Sequence, residues 1–187
     1  MRVFKQLFSK LSSLKFKRKT AIQKKIEQFI EVQREIDILK NKGFEVLSVT
    51  QTEKANLIMY RPFLDDIPEE EEIRIFIGIS VITSKGRSGR DPMLKAFFKN
   101  NFTTISLEDI EMADSFINQG LGSMLLNALL DIAKKRNIRC ITGEISRVDI
   151  GHIERLVHFY EKHNFEVILC SGSTDVYKIG DLVWNRS

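Results

Sequence analysis

The sequence predicts an α/β protein: a central mixed sheet with flanking helices, preceded by a helical extension. Three observations carry this. Apolar residues recur at helical spacing up to Leu39, and the period switches to two after Gly43. In the second half, strand, glycine turn, helix and strand follow one another, which implies a right-handed crossover and a parallel strand pair. Of the 187 residues 43% are hydrophobic and 29% charged, enough apolar surface for a real core and too much for global disorder.

From Met1 to Lys19, Phe4, Leu7, Phe8, Leu11 and Leu14 stand at helical spacing among lysines, the pattern of a basic amphipathic helix. The first twenty residues hold seven cations and no acid, so of the net charge +4 the rest of the chain carries 4 − 7 = −3. This asymmetry sets a segment 1–20 apart from a domain over 21–187. Such a helix fits a membrane surface, a nucleic acid or a partner subunit, a homodimer included; a removed targeting peptide or a seat on its own domain are the alternatives. Lysines interrupt the apolar stretch throughout, which argues against a secretory signal. Ile22, Ile26, Phe29, Ile36 and Leu39 form a second stripe, with Thr20 placed as an N-cap and Gly43 as the C-terminal glycine. It suits a helix lying on a sheet.

Phe44 to Val49, Leu57 to Tyr60 and Ile73 to Ile82 read as strands. Asp65, Asp66, Glu69, Glu70, Glu71 and Glu72 crowd one loop, either a lure for a cationic substrate or a solvated connection. Ser84 to Arg90 is a Gly-rich basic loop without phosphate-loop spacing, and Asp91 to Asn100 predicts a short helix. The remainder reads strand (Thr103 to Met112), glycine turn, helix (Leu121 to Lys135), strand (Ile138 to Ser146), helix (His152 to His163) and two closing strands (Phe165 to Cys170, Val176 to Ile179).

No apolar run approaches the roughly 20 residues that span a bilayer, which excludes an integral membrane protein of the helical kind. Cys140 and Cys170 sit in apolar strand-like runs, so buried free thiols in a reducing, cytoplasmic compartment are expected. His152, His158 and His163 lack thiol or carboxylate partners at ligand spacing, so no metal site is predicted and they are taken as surface or packing residues.

The turn Asn118-Gln119-Gly120-Leu121-Gly122-Ser123 lies between a strand and a helix. A glycine turn at a helix N-terminus leaves backbone N–H groups unpaired beside the positive end of the helix dipole, an anion site suited to a pyrophosphate. Alone it is also the pattern of a tight packing turn. With Leu107-Glu108-Asp109-Ile110-Glu111-Met112 before it and Phe159-Tyr160-Glu161-Lys162-His163-Asn164-Phe165 after it, the stretch Thr103 to Ile179 resembles the GNAT superfamily of acetyl-CoA-dependent N-acetyltransferases. Ile117 stands where that signature usually has Arg or Gln, Asn164 replaces its helix-end glycine, and Ile153 replaces a frequent Asn. Thr50 to Asn56 is too short for the family's paired helices between its first two strands, so the helix from Ala21 to Lys40 takes their place as the candidate cover.

The resemblance implies a GNAT-like domain over 21–187 with a splayed parallel strand pair. Backbone groups around Ile110 and Met112 would bond the pantetheine amides, and turn amides from Asn118, Gln119, Gly120, Leu121, Gly122 and Ser123 would hold the pyrophosphate. Acetyl-CoA is then a cosubstrate, an amine the acceptor, and no metal is required. Tyr160 matches the position that protonates the departing thiolate, its alternative being a packing aromatic. Glu108 is the candidate base, with a salt-bridging strand carboxylate or a water chain as the alternatives. Strand alternation places Glu108, Ile110 and Met112 on one face, Asp109 and Glu111 on the other. A non-catalytic module that binds or senses acyl-CoA is the competing function.

Overall fold

The computed structural model describes residues 2–63, 72–170 and 177–186, with side chains of the first helix from Ile22 onward. Asp65, Asp66, Glu69, Glu70, Glu71 and Val176 lie outside the described residues.

A single helix, α1 (Arg2–Asn41), replaces the two expected. It runs through Thr20, which therefore caps nothing: the stretch holds no Gly or Pro, and a threonine caps only where the backbone leaves the helix. It stops at Gly43, whose φ of 75° is the left-handed geometry that ends helices. At 1.5 Å per residue α1 is about 60 Å long.

The strands are β1 (Phe44–Gln51), β2 (Ala55–Pro62), β3 (Arg74–Thr83), β4 (Gly86–Arg87), β5 (Met93–Lys99), β6 (Thr104–Glu111), β7 (Cys140–Ser146), β8 (Glu166–Leu169) and β9 (Lys178–Asn185). They form one sheet in the order β1-β2-β3-β5-β6-β7-β9-β8, with β4 hairpinned onto β3. The pair β6–β7 is parallel and its neighbours are antiparallel. Between β6 and β7 the chain makes a 3-10 turn (Asp114–Phe116) and helix α2 (Leu121–Lys135), and after β7 a second 3-10 turn (Arg147–His152) leads into α3 (Ile153–Glu161). Residues 93–99, expected as helix, form β5 instead. Leu94, Ala96 and Phe98 are buried while Met93, Lys95 and Phe97 are only partly so, the period of a strand.

The sheet carries a core on each face. In β2, Leu57 and Met59 join the core under α2, while Ile58 and Tyr60 join Val32 and Leu39 of α1. The molecule is thus a sheet between α1 on one side and α2 with α3 on the other. α2 buries Leu121, Gly122, Leu125, Leu126, Leu129, Leu130 and Ala133.

The Gly-rich basic loop proves to be a structural tie. The Nε of Arg87 donates to Glu35 Oε1 of α1 at 2.9 Å, its second guanidinium nitrogen donates to Asp91 at 2.6 Å, and Ser80 Oγ donates to Glu35 at 2.9 Å. Tyr60 completes the network by donating to Asp91 at 2.9 Å. Burial pushes the Asp91 carboxyl up, with its two donors opposing the shift. Glu35 is 6% exposed, so this network anchors α1 where it crosses the sheet.

Candidate active site

The parallel pair is short. Thr104 to Leu107 lie opposite Cys140 to Gly143, and beyond these residues β6 runs on to Glu111 and β7 to Ser146 without pairing each other. Their outer neighbours hold them apart, because β6 stays bonded to β5 as far as Met93 opposite Glu111 and β7 stays bonded to β9. Two strand edges therefore face one another across an open wedge.

A cavity of about 650 Å³ opens at the wedge on the α2 side. Ile110, Met112, Asn118, Gly120, Leu121, Gly122, Ser123 and Tyr160 all line it, so most of the predicted site residues meet in one place. The first bond of α2 is from Met124 N–H to the Gly120 carbonyl at 3.1 Å. Helical geometry leaves the preceding amides of Gly120, Leu121, Gly122 and Ser123 without a carbonyl one turn back. Gly120 has φ 80°, a left-handed conformation, with open space where a Cβ would stand. Gly122 is set by packing: a Cβ there would meet Met112 Cε at 3.2 Å and the Phe159 ring at 3.4 Å. Gln119 stands apart from the other turn residues, its side chain donating to the Ser115 carbonyl at 2.6 Å and its backbone N–H to Phe116 at 3.4 Å.

Sequence reasoning missed the far wall. Arg155, His158 and Lys162 line the same cavity from α3 and its C-cap, at positions i, i+3 and i+7 of one helical face. That spacing was available as a signal, masked by reading the histidines one at a time. His163 is the packing residue expected, 7% exposed with Nδ1 2.8 Å from the Phe159 carbonyl.

Tyr160 is 9% exposed, edge-on to Phe159 at 5.0 Å and to Phe165 at 5.5 Å. Burial, then the charges of Asp109 and Asp149, push its phenol well above the ordinary tyrosine range, so it remains protonated at any working pH.

Glu108 falls elsewhere, and the predicted alternation fails for a definite reason. Lys95 opposes Asp109 while the next residue, Ala96, opposes Leu107, so Glu108 is the extra residue of a β-bulge. The bulge resets the parity: Ile105 and Leu107 pack under α2, and so do Ile110 and Met112. Glu108 instead accepts from Ser106 Oγ at 2.7 Å and lies 3.6 Å from Lys99 Nζ, on the opposite face. There a polar cavity of about 550 Å³ is lined by Lys99, Ser106, Glu108, Thr142, Glu144 and Asp181, among others. Asp109 is raised by burial and then by the Glu111 charge, whereas the bond from Lys95 lowers Glu111. The two cavities thus lie on opposite faces of the sheet, the polar one lined by both strands of the wedge.

Both cysteines are free; Cys170 is exposed rather than buried, and Cys140 half-buried. Among the described residues, no cluster of His, Cys, Asp and Glu could hold a metal ion, and no helix is long and apolar enough to cross a membrane.

Residues 93–165, from the start of β5 to the end of the Phe-Tyr-x-Lys motif, match the sequence model of the acetyltransferase (GNAT) family. The match covers 73 of the 187 residues, under half of the chain. A Bacillus subtilis (strain 168) relative, uncharacterized protein YocC, is 48% identical over 52 residues, 28% of this chain and 32% of its own length. The chain thus matches about a third of that relative. A solved Desulfovibrio desulfuricans protein of the GNAT family is 14% identical with a TM-score of 0.51, over 69% of this chain and 98% of that one, which shows the fold alone. The PaiA N-acetyltransferase of Thermoplasma acidophilum, solved with coenzyme A, is 16% identical over 61% of this chain and 62% of that one, with a TM-score of 0.46.

Proposed function

We propose that this chain is an acetyltransferase of the GNAT family and transfers the acetyl group of acetyl-CoA to an amine. The wedge between β6 and β7 carries the reading. An extended pantetheine arm needs free strand edges, and both are there between Leu107 and Glu111 and between Gly143 and Ser146. A pyrophosphate needs convergent amides, and the α2 N-terminus behind Gly120 supplies them. When bound, acetyl-CoA supplies an activated thioester; every other part of the reaction falls to this chain.

The turn and α3 hold the nucleotide end, leaving the wedge to orient the thioester between the two cavities. The acceptor nitrogen comes from the polar face and forms its bond to the acyl carbon as the carbon–sulfur bond breaks. The nitrogen's proton passes to Glu108, directly or through water, with Asp109 as the neighbouring carboxylate made more basic by burial. The sulfur takes a proton from Tyr160, which burial keeps as a phenol. A module that only holds acyl-CoA is the second reading, favoured by Ile117, which lines the cavity where the signature has Arg or Gln.

Release of free thiol from acetyl-CoA, measured against a broad panel of amines, separates the two. Acetyl-CoA binding by calorimetry with amine-dependent release supports transfer, and binding with no release from any amine supports holding. No binding at all removes both.

A further inference from the structure

We infer that the part of α1 before its seat on the sheet is a docking surface for an anionic lipid membrane. From Val32 to Leu39 the helix buries Val32, Glu35 and Leu39 against β2 and β3. From Ile22 to Ile30 its large apolar side chains are bare: Ile22 is 60% exposed, Ile26 48%, Phe29 69% and Ile30 59%. These four fall together on the helix. At roughly 100° per residue their centre lies about a third of a turn from the centre of Val32, Glu35, Ile36 and Leu39. The bare stripe is therefore a face of its own, and a flat surface could lie along it beside the domain.

The sequence takes up that stripe again beyond Lys15 and Lys19, two cations that fall on the same face. Phe4, Phe8 and Leu11 precede Ile22, Ile26 and Phe29 by the same interval (22 − 4 = 26 − 8 = 29 − 11 = 18 residues), which is about five helical turns. The backbone is helical throughout this span. The first twenty residues add seven cations with no acid among them.

Charge and apolar stripe together select the occupant. A second copy in parallel would set seven cations against seven. A nucleic acid would answer the charge and leave the phenylalanines, leucines and isoleucines in water. An anionic bilayer surface answers both, burying the stripe at the acyl boundary while the lysines and arginines stay among the headgroups.

The experiment is vesicle partitioning of the full chain, with phosphatidylcholine alone and phosphatidylcholine mixed with phosphatidylglycerol. Partitioning to the mixed vesicles should be tighter by at least ~10-fold and should weaken as salt rises. The double variant Ile26→Glu with Phe29→Glu should lose it while keeping its melting temperature, because both residues are exposed. Equal partitioning to both vesicles, no partitioning, or partitioning unchanged in the double variant would overturn the proposal. So would a dimer in light scattering that the double variant dissociates, or tight binding to duplex DNA, when either occurs without vesicle binding.

Discussion

Tyr160 concentrates the question of chemistry in one hydroxyl. Its ring packs between Phe159 and Phe165, so Tyr160→Phe keeps the packing and removes only the donor. Stability and acetyl-CoA affinity should barely change, and kcat should fall by roughly 10²-fold with little change in KM, the worth of a general acid that acts as the sulfur gains charge. A parental kcat, with chemistry shown to limit the rate, would leave Tyr160 as a packing residue. Asp109 offers a test of the electrostatics. Its folded pKa is raised above the unfolded value, so the ionised form opposes folding: its relative stabilisation is full below the ordinary aspartate pKa and is lost as pH rises through the raised one. Asp109→Asn should therefore raise the melting temperature at pH 7 and give no such gain at pH 3. A gain of equal size at both values would locate the effect in packing.

At the scale of elements, the glycine turn was legible because its geometry is local: a left-handed residue followed by an apolar helix needs no knowledge of the rest of the chain. Gly120→Ala should keep acetyl-CoA binding and cost about 1 kcal/mol for its left-handed φ. Gly120→Asp adds a carboxylate beside the amides and should abolish binding while the fold persists. Calorimetry on the pair separates strain from charge, and tight binding by the aspartate variant would remove the pyrophosphate from this turn. The bulge at Glu108 was not legible, since alternation assumes an unbroken ladder and the extra residue shows only against its partner strand. β5 was lost for a related reason. Lys95 and the adjacent pair Phe97 and Phe98 blur the period of two, and what makes the segment a strand is its place between β3 and β6. Likewise the sequence offered Arg87 as one cation in a basic loop, while its partner Glu35 lies 52 positions away.

The whole molecule divides where α1 meets the sheet. The two cores and the two cavities described are built from residues Val32 onward, and the tie from Arg87 to Glu35 fastens the helix at that point. Removing residues 1–19 should thus leave the melting temperature and acetyl-CoA affinity nearly unchanged. Severing the tie should not be silent. Arg87→Ala leaves the 8%-exposed side chains of Glu35 and Asp91 without their cation. The loss should be about 2–3 kcal/mol, below that of a fully enclosed pair because water already reaches the guanidinium. Acetyl-CoA affinity should survive in whatever remains folded, since the tie joins α1 to β2, β3 and β4 while the wedge is made by β6 and β7. Chemical denaturation of the truncation and of Arg87→Ala, each with and without saturating acetyl-CoA, decides the matter. A truncation that melts as early as Arg87→Ala would mean that residues 1–19 pack on the domain after all, and a ligand shift lost in Arg87→Ala would join the tie and the wedge in one cooperative unit.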